Sequence, residues 1–314
     1  MQFENIIVDS NNLYHRNFHT HKDLTTEVRG ETVYTGGIFG FLISLRKIEK
    51  LYLKKGGTIY LCFDNMSSTD NQRKEIDPDY KANRVKKEPA FYRGIDYLQL
   101  ILFNHSDHYK VIYKDAFEAD DYVKPLVKNI GNKEDTLLVS NDLDWARALD
   151  DRVFWLKDNG ILTKDDFFEK HGYFPNENNL MIHKAFRGDK SDNIPNAVPR
   201  FPMKLIIKLM NDFDTLYDIF ESLDKIEYLT EKHKGEILKA KPRLILNYKL
   251  VGYIEISEED LSEFTKDCKF NPSILKSLYK SLNFQPAKVD VRVRYVRPAK
   301  ESIDFDSWGK VDRA

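Results

Sequence analysis

Apolar and polar positions fall into alternating blocks along the first half of the chain. Three short runs rich in β-branched residues, NIIVD up to Asp9, TIYLCFD up to Asp64 and TLLVSND up to Asp142, are almost unbroken in apolarity and each closes on an acid. Continuous rather than alternating apolarity over so few residues predicts strands buried on both faces. Helical spacing predicts helices over Gly37 to Leu53 and Tyr92 to Phe103, with shorter strands at Lys110 to Tyr113 and Val153 to Leu156. Strand and helix in alternation imply an α/β architecture, a mainly parallel sheet flanked by helices. Ligands of such sheets sit beyond the carboxyl ends of the strands, so Asp9, Asp64 and Asp142 are expected on one rim.

The pattern changes twice. Between Asp64 and Pro89 runs a polar, charge-dense stretch too long for an ordinary connection, which reads as a functional insertion. From Gln72 to Arg93 it holds seven basic residues against four acidic ones. After Asn176 the strands are expected to stop and helical patterns, punctuated by Pro195, Pro199, Pro202, Pro242 and Pro272, to continue to Leu282. VDVRVRYV at Val289 to Val296 alternates with period two and predicts a basic strand in which Arg292 and Arg294 share a face, with Arg297 beyond it and a mobile polar tail after that. The expected organisation is a sheet-based core over 1–185 with an insertion at about 66–92, a helical region over 186–285, and a basic strand and tail over 286–314.

Composition narrows the class. A chain of 314 residues, 41% hydrophobic, can bury a substantial core. Its longest apolar runs fall well short of the ~20 residues of a membrane span. The start, MQFENIIVDS, lacks the basic stretch and cleavage site of a signal peptide, so a cytoplasmic protein with no membrane partner is expected. Cys62 and Cys268 are too few for a disulfide framework or a zinc ligand set. A net charge of −1 leaves nucleic acid open, because an acidic site can cancel a basic face in the sum.

Candidate chemistry lies in the acids. FEADDYV sets Glu118 and Asp121 three residues apart on one face of an expected helix, with Asp120 beside them. Acids at a helix start commonly just complement its dipole. Here they have company: SNDLDW supplies Asp142 and Asp144 directly after a buried strand, and GDKSDNIP supplies Asp189 and Asp192. With Asp9 and Asp64 that makes nine carboxylates for one rim, which would raise one another's pKa values unless cations neutralised them. Oxygen donors without a Cys or His set suit Mg2+ or Mn2+ rather than Zn2+. Two such ions ~3.5–4 Å apart activate a water and stabilise the leaving oxygen in a phosphodiester displacement. His15 and His19, one turn apart, have no acidic partner nearby and are expected at the surface or facing DNA. Gly36, Gly37 and Gly40 do not follow a strand, so they are expected to serve close helix packing rather than a phosphate loop.

The segments IIVDSNNLYHRNF, LCFDN, DPDYKANR, FEADDYV, VSNDLDW and GDKSDNIP, taken in chain order, resemble the motifs of the 5′ nuclease family, the flap endonucleases and 5′→3′ exonucleases of PIN-like fold. The resemblance runs from about Asn5 to Pro195 and is closest in organisation to standalone bacteriophage members and to the 5′ nuclease domain of bacterial DNA polymerase I. It implies that Asp9, Asp64, Glu118, Asp120, Asp121, Asp142, Asp144, Asp189 and Asp192 are the metal-binding set, with Asp142 and Asp144 directly catalytic. DPDYKANR resembles the base of the family's helical arch, which admits a single-stranded 5′ end. Lys81 and Arg84 are then implied as catalytic cations on the scissile phosphate. Tyr80 is implied as a stacking platform for a base, and Arg16 and Arg73 as further nucleic-acid contacts. GDKSDNIP implies a helix-three-turn-helix-like region that grips duplex, in which Lys204 and Lys208, one turn apart, would meet phosphates. Pro199 and Pro202 stand where glycines would be expected and each removes an N–H donor, which counts against a main-chain grip and against a K+ held there.

The function the resemblance implies is a structure-specific 5′ nuclease acting on DNA with a 5′ flap or 5′ end and on RNA–DNA hybrid, in replication primer removal. A replication clamp or single-strand-binding protein is a candidate partner. The chain is expected to act as a monomer and as a separate protein. Two alternatives stand beside this: a PIN-type ribonuclease, which uses a smaller acidic set, and a non-catalytic protein that binds branched DNA.

Overall fold

The computed structural model describes residues 1–64, 72–131, 134–158 and 160–284. Its strands are β1 (Phe3–Asp9), β2 (Thr25–Val28), β3 (Glu31–Tyr34), β4 (Leu53–Cys62), β5 (Tyr109–Ile112), β6 (Thr136–Val139), β7 (Val153–Lys157), β8 (Gly160–Leu162) and β9 (Thr265–Asp267). The helices are α1 (Ser10–Thr20), α2 (Thr35–Tyr52), α3 (Gln72–Ile76), α4 (Pro89–Phe103), α5 (Val123–Ile130), α6 (Lys164–His171), α7 (Glu177–Arg187), α8 (Met203–Asp212), α9 (Leu216–Ser222), α10 (Glu231–Val251), α11 (Glu258–Phe264) and α12 (Pro272–Ser281).

One seven-stranded sheet runs in the order β8-β7-β6-β1-β4-β5-β9, and β2 and β3 form a separate hairpin. The five central strands are parallel, and β8 and β9 close the two edges antiparallel. The apolar runs are unbroken because both faces are covered. Ile6 and Val8 of β1 and Leu61 of β4 enter one core with α1, α2, α4 and α12. Ile7 and Leu138 enter the other, which continues through α5 to α11. The mainly parallel, helix-flanked architecture expected from the pattern is therefore the one the chain adopts.

The glycines of α2 serve close packing. A Cβ on Gly37 would stand 2.7 Å from the Tyr14 ring, and one on Gly40 the same distance from the Asn17 side chain. Real Cβ atoms do not come so close, so α1 and α2 approach as they do because these positions carry no side chain.

Three expectations need correction. Strands do not end at Asn176: β9 returns to the sheet, its backbone pairing with β5 through Lys110, Val111 and Ile112. The three residues TKD lack any apolar alternation, so what places them is the open edge of β5 rather than their own side chains. Pro242 does not punctuate a helix but lies inside α10. The loss of one N–H bond there is outweighed by burial of Ile237, Leu244, Tyr248 and Leu250 along the same helix. FEADDYV is not an α-helix over its acids but a short 3-10 turn, Ala119–Tyr122, that leads into α5. Residues 65–71 of the expected insertion and the strand expected at Val289 to Val296 lie outside the described residues.

Candidate active site

The three strand-end acids arrive as the topology requires. Asp9 is the last residue of β1 and caps α1, accepting from the Asn12 N–H at 2.9 Å and from the Ser140 hydroxyl at 2.7 Å. Asp64 lies two residues beyond β4 and accepts from the Ala119 N–H at 2.8 Å. Asp142 lies three beyond β6 and caps the 3-10 turn Leu143–Ala148, accepting from the Asp144 N–H at 3.0 Å. With Glu118, Asp120, Asp144 and Asp192 they line one cleft of about 410 Å3, shared with Asn11, Asn12, His15, Arg16, Lys81 and Arg84.

The remaining two acids stand behind that wall. Asp121 is fully buried, with both oxygens engaged. Oδ1 accepts from Arg73 Nη2 at 2.6 Å and the Ile254 N–H at 3.2 Å; Oδ2 accepts from Arg73 Nη1 at 3.1 Å and the Glu118 N–H at 3.0 Å. A carboxylate has about four lone-pair sites, and these four donors fill them, so Asp121 as placed is a structural acid. Asp189 faces Lys184 Nζ at 2.6 Å and accepts from the Ser191 N–H and hydroxyl.

Protein cations partner six of the nine acids. Lys81 Nζ is 2.5 Å from Glu118, and Arg84 Nη2 is 2.8 Å from Asp192. Arg73 holds Asp121 and approaches Glu118, Arg147 holds Asp120, and Lys184 bridges Asp144 and Asp189. Among the described residues, no Lys or Arg forms an ion pair with Asp9, Asp64 or Asp142. The electrostatics divide in the same way except at Asp120, which is raised although Arg147 pairs with it. Burial, then the Asp64 charge, pushes Asp9 up to about 7. Burial, with Glu118 adding to it, raises Asp64 against the lowering charge of Lys81, and burial and Asp121 raise Asp120 well above the usual range against Arg73 and Arg147. Asp142 is raised by the desolvating walls of the cleft and by Asp144, although its own surface remains open to solvent. Against their burial, Lys81 and Arg73 hold Glu118 down at about 2, and Lys184 holds Asp189 at about 2. Arg147 and Lys184 likewise lower Asp144.

Among the described residues no three His, Cys, Asp or Glu side chains are gathered around a single point where a metal ion would sit. The donor set nevertheless fits hard divalent ions. It is all oxygen, it converges on one cleft, and the strand-end trio lacks the counter-charge its burial calls for.

Two expected nucleic-acid contacts are not available as such. Tyr80 is 2% exposed, packed against Ile194, Leu250 and Val251. Its single hydroxyl proton is shared between Glu118 Oε2 and Asp192 Oδ2, each 3.1 Å away, so its ring is not a platform for a base. Arg73 is 3% exposed and donates to the carbonyls of Leu250 and Gly252 as well as to Asp121, so it is an internal strut. Arg16 is exposed at the cleft. Lys204 and Lys208 are exposed on α8, outside the cleft lining, with Lys208 Nζ 4.0 Å from the centre of the Tyr228 ring.

DPDYKANR, expected as the base of an arch, folds onto the GDKSDNIP loop. Lys81 donates its N–H to the Asp192 carbonyl at 2.9 Å, Asn83 reaches the Lys190 carbonyl and Asn193 the Asp79 carbonyl, both at 2.8 Å. Lys81 and Asn193 both adopt left-handed backbone, φ 55° and 60°, where non-glycine residues rarely stand. Reasoning from sequence missed Lys184, Arg147 and Ser140. Lys184 and Arg147 sit among acids at helical or near-helical spacing, the one signal that could have pointed to them.

A parallel sheet that presents acids and cations together at its carboxyl rim is equipped for phosphoryl chemistry. The family described as "5′-3′ exonuclease, N-terminal resolvase-like domain" matches residues 4–172. A 5′-3′ exonuclease of Buchnera aphidicola subsp. Schizaphis graminum is 31% identical over 79% of this chain and 83% of its own. The DNA polymerase I of Caldicellulosiruptor bescii is 29% identical over 71% of this chain, which spans 26% of that polymerase. In fold, the T5 D15 protein co-crystallised with metal ions superposes with a TM-score of 0.61 at 19% identity, covering 89% of this chain and 98% of that one. The catalytic core of Rad2 in complex with DNA substrate gives 0.54 at 13% identity, over 92% and 90%. The chain belongs to the 5′-3′ exonuclease family, and it is a nuclease.

Proposed function

We propose that the protein hydrolyses phosphodiesters at 5′ ends and 5′ flaps of DNA, and in RNA–DNA hybrid, with two Mg2+ or Mn2+ ions held by the cleft acids. The observation that carries this reading is the trio Asp9, Asp64 and Asp142, which stand in one cleft and, among the described residues, form no ion pair with a Lys or Arg. Asp120, Asp144, Glu118 and Asp192 would complete the ligand set, with Asp189 holding Lys184 behind them. When bound, the ions supply an activated water and charge stabilisation for the leaving oxygen.

The chain's own cations orient the phosphate. Arg84, half exposed, and Lys81, one residue beyond the buried Tyr80, face the cleft and can exchange a carboxylate for a scissile phosphate. Their charge then meets the charge that grows on the phosphate in the transition state. Arg16, on the first helix after Asp9, is the contact for the next phosphate along the strand.

A labelled 5′-flap duplex, incubated with Mg2+ and separately with EDTA, tests the reading. Cutting near the junction that requires the metal is expected, and Asp142→Asn abolishes it while leaving the fold intact. Tight binding without cutting under any divalent metal would leave the non-catalytic alternative standing.

A further inference from the structure

We infer that Arg147 is an internal counter-cation of the cleft, a positioning residue that shares Asp120 and Asp144 with a bound divalent ion and so limits how tightly that ion is held. The inference rests on the metal-dependent reading above. Arg147 Nη2 lies 3.3 Å from Asp120 Oδ2 and 3.9 Å from Asp144 Oδ2. Its Nε donates to the Asp144 carbonyl at 3.0 Å, and Nη1 donates to the Val251 carbonyl at the end of α10. One face of the guanidinium is 3.9 Å from the centre of the Tyr253 ring. Two edges and a face are thus fixed by backbone and by an aromatic ring, and the side chain is 2% exposed.

That confinement, shared with the buried Arg73, sets Arg147 apart from Lys81 and Arg84. The Arg84 side chain is 52% exposed and Lys81 ends in a single rotatable ammonium, so either can leave its acid for a phosphate. Arg147 has nowhere to withdraw, and it always carries its charge. A divalent ion that takes Asp120 and Asp144 therefore binds beside a permanent positive charge, which weakens its hold and keeps it exchangeable. The same contacts fix the two carboxylates in direction, as outer partners of metal ligands do.

The test compares wild type, Arg147→Gln and Arg147→Lys, with free Mn2+ measured by electron paramagnetic resonance in the absence of DNA. Arg147→Gln is expected to bind Mn2+ roughly tenfold more tightly, because a full charge has gone from beside the ion. Arg147→Lys keeps the charge and stays near wild type. On a 5′-flap substrate at saturating Mn2+, kcat of Arg147→Gln falls by about tenfold with KM unchanged, since the acids lose their alignment. Mn2+ binding by Arg147→Gln that equals or is weaker than wild type overturns the inference alone. No Mn2+ binding by wild type brings down the metal-dependent reading with it. If Arg147→Gln fails to melt cooperatively, Tyr253→Leu decides, because it uncovers one face of the guanidinium and opens it to water while leaving the charge in place. A smaller tightening is expected there, and unchanged affinity overturns the inference.

Discussion

At the scale of single residues, position along a strand made the acids legible, whereas the fate of Tyr80 was not. An aromatic residue beside Lys81 reads the same whether its ring points out to a base or in to a core. What decides is Ile194, Leu250 and Val251, all more than a hundred residues away, which form the pocket that takes the ring. The consequence is measurable. Tyr80→Phe keeps the ring and removes only the hydroxyl shared by Glu118 and Asp192, so a loss of about 1 kcal/mol is expected in urea unfolding. Tyr80→Ala also opens a cavity and is expected to cost about 3–5 kcal/mol. Equal and negligible effects would put the ring back at the surface.

The strand-end acids have an opposite sign of linkage from Glu118, Asp144 and Asp189. Asp9 is raised from 3.8 to about 7, so the folded protein holds a proton that the unfolded chain has released. Its contribution to stability is therefore present at low pH and declines as pH rises through that interval. Glu118 and Asp189, held near 2, contribute stability that is lost only as pH falls toward that value. Because buried His183, lowered to about 4, works in the opposite sense over the same interval, the acid is isolated by substitution: in EDTA, Asp9→Asn is expected to raise the melting temperature more at about pH 7.5 than at about pH 5. Saturating Mg2+ binds the ionised acids and reverses that order. Identical ordering with and without Mg2+ would mean that Asp9 is not its ligand.

At the scale of elements, the hydrophobic pattern located the central strands and the two helices α2 and α4 within a few residues, because burial leaves a strong local signal. It misplaced β9 and misread Pro242, whose settings are supplied by partners distant in sequence. It also could not show that the turn holding Lys81 lies across the 189–194 loop, since the Asn83 and Asn193 side chains meet there main-chain carbonyls 107 and 114 residues away in sequence. The Lys81 N–H and the side-chain amides of Asn83 and Asn193 fix the turn independently of the Lys81 side chain. Lys81→Ala should therefore leave the turn in place and remove only the ammonium. We expect kcat to fall by about 100-fold or more with little change in KM, as for loss of one donor aimed at transition-state charge. Equal losses in kcat/KM and binding affinity would reduce Lys81 to a substrate-binding group.

At the scale of the whole molecule, the expected boundary between a sheet core and a helical region falls inside the last turn of α7, which runs unbroken to Arg187. The core does not divide there. Phe201, Ile206 and Leu209 of the helical region pack in one cluster with Ile7, Leu138 and Trp155 of the sheet side. Apolar periodicity shows that each half has a face to bury but not that the two faces are buried against each other. A fragment 1–185 would expose Trp145 and Trp155, and a fragment 186–285 would expose Phe186 and Phe201, all of them 0–1% exposed in the intact chain. At roughly 1.5–3 kcal/mol for each large side chain, such losses rival the whole stability of about 5–15 kcal/mol typical of a domain. Neither fragment is expected to melt cooperatively in calorimetry, and a sharp transition from either would show two independent units. The cleft lies on this seam, with Asp144 before it, Asp192 after it, and Lys184 of α7 joining Asp144 to Asp189 across it. Separating the halves therefore removes the acid cluster as well as the core, and mixing the two fragments should restore both metal binding and cooperative melting together or neither.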